Sequence, residues 1–252
     1  MGRMVIKVGG HELDDAQFVQ GLVGAISGLP ERPILVHGGG KEISQLGLAL
    51  GLSATFMGGM RVTDAAMLRL AVMVMAGLAN KRLVAALLTA GVPAVGVSGV
   101  DLGLLRVVKW DYPGGDLGWV GKVEQVNAEA LEQLLSLGAT VVLSPISADA
   151  SGQMYNVNAD HVAQAVARTL GAGELVFITN VPGVMRDGEV LPRLTRAEVE
   201  ALIEQGVIAG GMIPKVRSAL EAMADGVATA RICNLASLAG GGTAISEEEI
   251  RN

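Results

Sequence analysis

The chain has little sulfur chemistry and few rings: one cysteine, Cys233, and 3 Phe, 2 Tyr and 2 Trp among 252 residues. A single cysteine excludes an internal disulfide and favours a reducing compartment. Because aromatic residues are so scarce, the core must be built from Ala, Val, Leu, Ile and Met. Apolar residues make up 50% of the chain and charged residues 17%, a composition that excludes intrinsic disorder.

The chain also lacks an excess of positive charge, since 19 basic residues face 25 acidic ones and the net charge is −6. Binding to nucleic acid or to an anionic membrane surface needs a basic patch, so neither partner is expected. The mean hydropathy of +0.47 is high, but Gly91 and Pro93 interrupt the charge-free residues 83–100. A membrane span needs about 20 continuous apolar residues, and Arg3 and Lys7 leave no room for a signal peptide. We therefore expect a cytoplasmic protein.

Short aliphatic runs alternate with segments of helical periodicity. The predicted strands are 4–8, 33–36, 94–97, 140–143, 175–178 and 228–232, and the predicted helices are about 14–27, 41–50, 64–90 (one or two helices), 127–137, 159–170, 196–205 and 214–224. This alternation is typical of an open parallel sheet with helices on both faces. We predict a three-layer α/β fold in which a mainly parallel sheet is flanked by helices.

Residues 106–123 interrupt the alternation, because Trp110, Tyr112 and Trp119 surround the turn sequence Pro113-Gly114-Gly115. This pattern predicts a β-hairpin, inserted over the N-terminal half of the fold. No low-complexity linker divides the chain. We therefore predict one domain over residues 1–252, with an N-terminal lobe at about 1–150 and a C-terminal lobe at about 151–252.

Glycines follow several predicted strands at their carboxyl ends, which is where open α/β sheets bind ligands. Gly9 and Gly10 follow the first strand, Gly38 and Gly39 follow the second, and the loop 180–183 follows a later one. Backbone N–H groups in such loops bind phosphate. The pattern suggests a ligand that contains phosphate, although a tight strand-to-helix turn also explains residues 37–40.

Two lysines occupy positions that favour a nearby anion. Lys7 lies inside the buried first strand, where a cation is costly unless it meets an anion or reaches solvent. Lys215 lies in the first turn of the last predicted helix, where its charge opposes the helix dipole. An anionic ligand would explain both positions, whereas contact with solvent would explain Lys7 alone.

Polar residues near two other helix starts are further candidates. Asn156, Asn158 and Asp160 recur at every second position, and Asn158 is also a suitable N-cap. Arg61 is suited to hold a carboxylate through two hydrogen bonds, although a solvated loop arginine is an equally good interpretation. The histidines show no HxxxH or HExxH spacing, so a protein-ligated metal site is not expected.

Eight motifs, in this order along the chain, resemble the amino-acid kinase family. They are IKVGG (6–10), HGGG (37–40), GMRVTD (59–64), ANK (79–81), GWVGKV (118–123), NVNAD (156–160), NVPGV (180–184) and GMIPKV (211–216). The match extends from residue 4 to about residue 245. Within the family, Gly40 and the compact segment before Arg61 are most similar to members that phosphorylate N-acetyl-L-glutamate. The resemblance thus implies ATP-dependent phosphorylation of the side-chain carboxylate of N-acetyl-L-glutamate, in arginine biosynthesis.

The resemblance also implies roles for the candidate residues. Lys7 and Lys215 would face the transferred phosphoryl group, and Asp160 would lie between them and orient them. The amides of Gly10, Gly38 and Gly39 would donate to phosphate and substrate, with the latter two glycines in the substrate site. Arg61, Asn156 and Asn158 would hold the substrate. The nucleotide would meet Gly9, Gly10, Asn180, Val181, Pro182, Gly183, Val184, Met185, Val207, Ile208 and Ala209.

The same resemblance implies Mg²⁺, bound mainly through the nucleotide phosphates, and a homodimer. Arginine-inhibited relatives carry an extra N-terminal helix that links dimers into rings. Because the first predicted strand already starts at about residue 4, we expect a homodimer that arginine does not inhibit.

Two alternatives remain open. One is the related kinase of lysine biosynthesis, which acts on a carrier-bound or acylated aminoadipate-type substrate and whose second loop resembles His-Gly-Gly-Ser. The other is a catalytically inactive member that acts as a sensor or regulator. Release of ADP with different acceptors would discriminate among these functions.

Overall fold

The computed structural model describes residues 3–10 and 13–246 and contains all the predicted strands and helices. Its strands are β1 (Met4–Val8), β2 (Ile34–His37), β3 (Phe56–Met57), β4 (Met60–Arg61), β5 (Ala94–Ser98), β6 (Leu105–Lys109), β7 (Val120–Val126), β8 (Thr140–Ser144), β9 (Ile146–Ala148), β10 (Met154–Val157), β11 (Glu174–Ile178), β12 (Met185–Arg186), β13 (Glu189–Val190), β14 (Arg193–Leu194), β15 (Ala230–Cys233) and β16 (Thr243–Ile245). Its helices are α1 (Ala16–Ser27), α2 (Gly40–Ala49), α3 (Ala65–Ala71), α4 (Asn80–Thr89), α5 (Ala128–Ser136), α6 (Ala159–Thr169), α7 (Arg196–Glu204) and α8 (Met212–Ala224). A π-helical segment, Val72–Ala79, joins α3 to α4 into one continuous helix.

The central sheet has eight strands in the order β14-β16-β15-β11-β1-β2-β8-β5. β1 lies between β11 and β2 and pairs parallel with both. β15 and β16 pair antiparallel at the other end of the order, so the sheet is mainly parallel, as predicted. Strands from both halves of the chain share this sheet, while the division into two functional lobes stays a prediction.

Side chains of the central strands alternate between two apolar cores. On β1, Val5 packs with residues of α5, α6, α7 and α8, whereas Ile6 and Val8 pack with residues of α1 and α4. The period of two therefore directs Lys7 to the same side as Val5, where α6 begins. On β2 the same rule directs His37, together with Leu35, to the side of α1 and α4. The three predicted layers are confirmed.

The predicted hairpin is confirmed, because β6 and β7 pair antiparallel. It does not stand alone: β9 and β10 join it in a closed four-stranded barrel that was not predicted from the sequence. β10 pairs parallel with β7 and antiparallel with β9. Strands of three and four residues show little periodicity of their own, so only the tertiary pairing reveals them.

The continuous helix over 65–89 is, by length and composition alone, apolar enough to cross a membrane. Val74, Leu83 and Leu87 of this helix are nevertheless buried in the apolar cores. One such helix is weak evidence for a span, since core helices of water-soluble proteins have the same composition. The absence of a membrane partner stays a prediction.

Candidate functional site

A cavity of about 240 Å³ lies at the carboxyl ends of β1 and β2. It is lined by the predicted residues Lys7, Gly9, Gly10, Gly38, Gly39, Arg61, Asn156, Asn158 and Asp160. These residues belong to β1, β4, β10, α6 and the loops after β1 and β2. The parallel sheet therefore brings together groups that lie far apart in the sequence, at the edge where open α/β sheets bind ligands.

The two glycine loops pack directly against each other. A Cβ atom on Gly10 would lie 2.3 Å from the backbone nitrogen of Gly39, so only glycine fits there. The N–H of Gly38 donates to the carbonyl of Val8 over 3.1 Å. This amide is already hydrogen-bonded within the chain, and the donation to phosphate or substrate expected of it stays a prediction. Gly38 lines the cavity and allows the loops to approach.

The second glycine loop leads straight into α2, whose N-cap is Gly39. Gly39 supplies no side-chain hydrogen bond to the start of the helix. The first amides of a helix have no intrahelical acceptor, and they favour an anion at this end. The start of α2 at Gly40 therefore presents N–H groups to the cavity.

Lys7 forms an ion pair with Asp160, with 2.8 Å between Nζ and Oδ1. Asp160 lies in the first turn of α6, and its N–H donates to Oδ1 of Asn158 over 2.7 Å. Asn158 is thereby confirmed as the N-cap of α6. The side chains of Lys7 and Asp160 are 18% and 27% exposed. The pair is therefore partly shielded from solvent yet reachable from the cavity.

Lys215 lies in the first turn of α8, and its Nζ donates a hydrogen bond to Oγ1 of Thr179, just after β11. β11 is the direct neighbour of β1, with Phe177 opposite Lys7. The two predicted catalytic lysines thus approach the carboxyl ends of adjacent strands. Lys215 is not one of the described residues that line the cavity around Lys7. The arrangement with Asp160 between the two lysines stays a prediction.

The guanidinium group of Arg61 is held beside the second glycine loop. Its Nη2 donates to the carbonyl of Gly40 over 2.7 Å and to Oγ of Ser44 over 2.8 Å. Its Cζ lies 4.7 Å from the centre of the Phe56 ring. Nη1 is buried and has no hydrogen-bond partner in the described part of the chain, and burial lowers the pKa of Arg61. Since a buried donor without an acceptor is costly, this atom fits an oxygen of a bound ligand.

Asn156 is tied to the segment that carries Arg61. Its Nδ2 donates to Oγ1 of Thr63 over 3.2 Å, and that hydroxyl donates to the carbonyl of Arg61 over 2.8 Å. The barrel strand β10 is thereby linked to the residues after β4. Asn156 and Arg61 consequently hold fixed positions in the wall of one cavity.

The residues predicted to bind the nucleotide through the C-terminal half lie outside this cavity. Within the described chain, none of Asn180, Val181, Pro182, Gly183, Val184, Met185, Val207, Ile208 and Ala209 lines it. The side chains of Val184 and Ile208 are 1% and 2% exposed and belong to the core, so only their backbones can meet a nucleotide. A Cβ on Gly183 would lie 2.6 Å from Oγ1 of Thr243, which explains this glycine by packing. The nucleotide role of this group stays a prediction.

Several cavity residues were not selected from the sequence. Phe56, Met60 and Met75 line it together with the candidates. Phe56 is 56% exposed, and a rare aromatic beside the turn Gly58-Gly59 was a usable signal. No sequence signal pointed to Met75, because its contact with Gly39 depends on how the long helix packs against α2.

Acidic and metal-binding groups are not concentrated in the site. In residues 3–10 and 13–246, no three His, Cys, Asp or Glu side chains come together as metal ligands. Asp160 is the carboxylate that lines the cavity, and it is paired with Lys7. The expected Mg²⁺, bound mainly through the nucleotide phosphates, stays a prediction.

Comparison with known sequences places these features in a family. The model of the amino acid kinase family matches residues 2–234. The acetylglutamate kinase of Roseiflexus castenholzii is 54% identical over 245 residues, which cover 97% of this chain and 94% of the relative. The acetylglutamate kinase of Chloroflexus aurantiacus is 53% identical over 247 residues, or 98% of this chain and 97% of the relative.

Solved structures share the fold. The protein smu.665 from Streptococcus mutans superposes with a TM-score of 0.79 at 31% identity, over 97% of this chain and 98% of the other. N-acetylglutamate synthase from Neisseria gonorrhoeae, complexed with coenzyme A and N-acetyl-glutamate, gives a TM-score of 0.84 at 28% identity, over 99% of this chain and 60% of the other. Carbamate kinase from Giardia lamblia bound to AMP-PNP has the same fold, with a TM-score of 0.69 at 18% identity over 98% of this chain and 99% of the other. The chain belongs to the amino acid kinase family.

Proposed function

We propose that the chain transfers the γ-phosphoryl group of ATP to the side-chain carboxylate of N-acetyl-L-glutamate, a step of arginine biosynthesis in the cytoplasm. The observation that carries this proposal is the buried, unpartnered Nη1 of Arg61 in the same cavity as the Lys7–Asp160 pair. The guanidinium of Arg61 suits an anionic acceptor, and the Lys7–Asp160 pair suits a transferring phosphoryl group. The relatives at 53–54% identity are named acetylglutamate kinases, which favours this acceptor over an aminoadipate-type one.

The transfer requires that the negative charge of the phosphoryl group is neutralised and that the acceptor carboxylate is aligned with the γ-phosphorus. A carboxylate oxygen of the acceptor forms a bond to the γ-phosphorus while the bond to the bridging oxygen breaks, and ADP leaves with that electron pair. The product is an acyl phosphate, and no proton needs to move. Negative charge is spread over the oxygens of the transferring group. Lys7, oriented by Asp160, and the amides at the start of α2 supply the matching positive charge.

The remaining groups divide between the two substrates. Arg61 holds the α-carboxylate of the acceptor, and Asn156 with Asn158 holds its amide end. Lys215 meets the phosphates from the side of β11, and the loop 180–185 with residues 207–209 holds the nucleotide. Mg²⁺ would be bound mainly through the phosphates of ATP and would neutralise part of their negative charge.

The proposal is tested by measuring ADP release with N-acetyl-L-glutamate, L-glutamate, L-2-aminoadipate and N-acetyl-L-aminoadipate in parallel. Hydroxylamine converts an acyl phosphate into a hydroxamate, so it identifies the product directly. We expect release and hydroxamate with N-acetyl-L-glutamate only. Faster turnover with an aminoadipate-type acceptor would favour the lysine-pathway kinase, and no release with any acceptor would favour a regulator.

We also propose that the long helix, residues 65–89, forms a homodimer interface. Met73, Leu78 and Leu88 on it are 60%, 47% and 53% exposed, and exposed apolar faces of this kind mark protein–protein contacts. Light scattering should find a dimer for the wild type and a monomer for Met73→Glu with Leu78→Glu. Leu137→Glu is the matched control, because Leu137 is 68% exposed at the end of α5. A monomeric wild type would refute the proposal.

A further inference from the structure

His37 precedes the second glycine loop, is completely buried and is not among the residues that line the cavity. Its Nδ1 lies 2.9 Å from the carbonyl oxygen of Gly38. Its Nε2 lies 3.2 Å from Nδ2 of Asn80, the first residue of α4. The ring therefore joins the glycine loop to the helix layer on the opposite side of the sheet from Lys7.

The orientation of the Asn80 amide is determined by its other partners. Its Nδ2 also donates to the carbonyl of Val142 on β8 over 2.9 Å and to the carbonyl of Val97 on β5 over 3.3 Å. Its Oδ1 accepts from Nζ of Lys81 over 3.1 Å, and the same Nζ donates to the carbonyl of Gly96 on β5 over 2.7 Å. A flipped amide would set its nitrogen against the ammonium group and its oxygen against a carbonyl. Nδ2 must therefore point towards His37.

This orientation determines the state of the imidazole. Because Nδ2 of Asn80 is a donor, Nε2 of His37 can only accept, and because the carbonyl of Gly38 also only accepts, the ring hydrogen resides on Nδ1. That hydrogen is donated to the carbonyl of Gly38. The ring must be neutral for this pattern, in line with the burial that lowers the pKa of His37 to about 4.

The bond to Gly38 also orients the neighbouring amide. The described peptide bonds include none in the cis form, and in a trans peptide the C=O and N–H point in opposite directions. Holding the Gly38 oxygen on the imidazole thus turns the N–H of Gly39 away from His37. The Gly39 nitrogen lies where Gly10 packs, beside the cavity. Glycines have no side chains with which to fix this peptide themselves.

We propose that His37 and Asn80 are positioning residues, which orient the Gly38–Gly39 peptide so that the N–H of Gly39 meets the transferring phosphoryl group. The inference rests on the kinase activity proposed above. The pair acts through the second glycine loop, because its hydrogen bonds tie that loop to β5 and β8. This role accounts for the motif that contains Asn80 and Lys81, which neither binds substrate nor neutralises charge in the proposed mechanism.

Two substitutions separate the two hydrogen bonds of the ring. In His37→Asn, the side-chain nitrogen takes the place of Nδ1 and keeps the bond to Gly38. In His37→Gln, the longer amide reaches the place of Nε2 and loses that bond. Both remove the same buried ring and so lose similar packing. Each variant is assayed for kcat and KM with ATP and N-acetyl-L-glutamate, and for Tm.

We expect kcat of His37→Gln to fall at least about tenfold with KM within about threefold of wild type, because a misdirected donor acts mainly in the transition state. His37→Asn should keep kcat within about threefold of wild type, although both variants lose similar Tm. An equal loss of kcat in the two variants would show a purely structural role. A wild-type kcat in His37→Gln would also overturn the proposal.

A binding measurement separates this inference from the proposed function. ADP with aluminium fluoride mimics the transferring phosphoryl group, and calorimetry gives its affinity for each variant. We expect His37→Gln to bind it at least about tenfold more weakly than His37→Asn, with equal affinities for ADP alone. If the wild type bound this mimic but released no ADP with any acceptor, only the proposed function would fall. Equal affinities of the two variants for the mimic would overturn the positioning role.

Discussion

Acidification gives a quantitative check on the buried imidazole of His37. Burial, aided by the charge of Lys81, lowers its pKa from 6.5 to about 4, although the bond to Gly38 acts in the opposite direction. At a pH between these two pKa values, His37 of the unfolded chain binds a proton that His37 of the folded chain does not. Stability therefore rises with pH across this window and is lost as the pH falls through it.

The two pKa values set the size of the effect. Their difference of 2.5, from 6.5 − 4, corresponds to about 3 kcal/mol of unfolding free energy once the pH is well below the folded value. Between about pH 7 and about pH 5, the same values predict a loss of about 2 kcal/mol. In a chain of this length, that loss lowers Tm by about 4–8 °C.

The assay compares the Tm of the wild type and of His37→Asn by scanning calorimetry over this pH range. Other titrating groups, including the partly buried His161, are present in both chains, so their contributions cancel in the difference. We expect the advantage of the wild type to shrink by about 4–8 °C between about pH 7 and about pH 5. A difference that stays constant with pH would refute a buried, neutral His37.

Three further predictions concern the site itself. Lys7→Met and Lys215→Met should each lower kcat at least about 100-fold with KM within about threefold; an unchanged kcat in steady-state assays would remove that lysine from the mechanism. Arg61→Lys keeps the charge but loses the planar fork, so KM for N-acetyl-L-glutamate should rise at least about tenfold; an equal rise for ATP would contradict a role confined to the acceptor. Gly39→Ala places a Cβ 2.7 Å from Cγ of Met75, whereas Gly10→Ala places one 2.3 Å from a backbone nitrogen. Each should cost about 1–3 kcal/mol. Met75→Ala is itself destabilising because Met75 is buried, but it should lower Tm less in Gly39→Ala than in Gly10→Ala, since only the former relieves an overlap.

Much of the candidate site could be predicted from single positions along the chain. Lys7 stands out because a cation inside the apolar strand β1 needs an anion, and the structure pairs it with Asp160. The burial of the Arg61 guanidinium could not be predicted in this way. That Nη1 is buried without a partner depends on how β3 and β4 fold over α2, which no local pattern encodes.

The sequence by itself determined six of the eight strands of the central sheet, the hairpin, the helices and the parallel α/β architecture, because periodicity, caps and glycines at turns act over neighbouring residues. It also marked the carboxyl ends of β1 and β2 as the place for chemistry. Only the tertiary structure decided that β9 and β10 close a barrel with the hairpin, and that Asn80 meets a ring 43 positions earlier in the chain. Such contacts depend on how whole layers pack and on which buried polar atoms must find partners. That information lies in the assembled fold and in no single stretch of the chain.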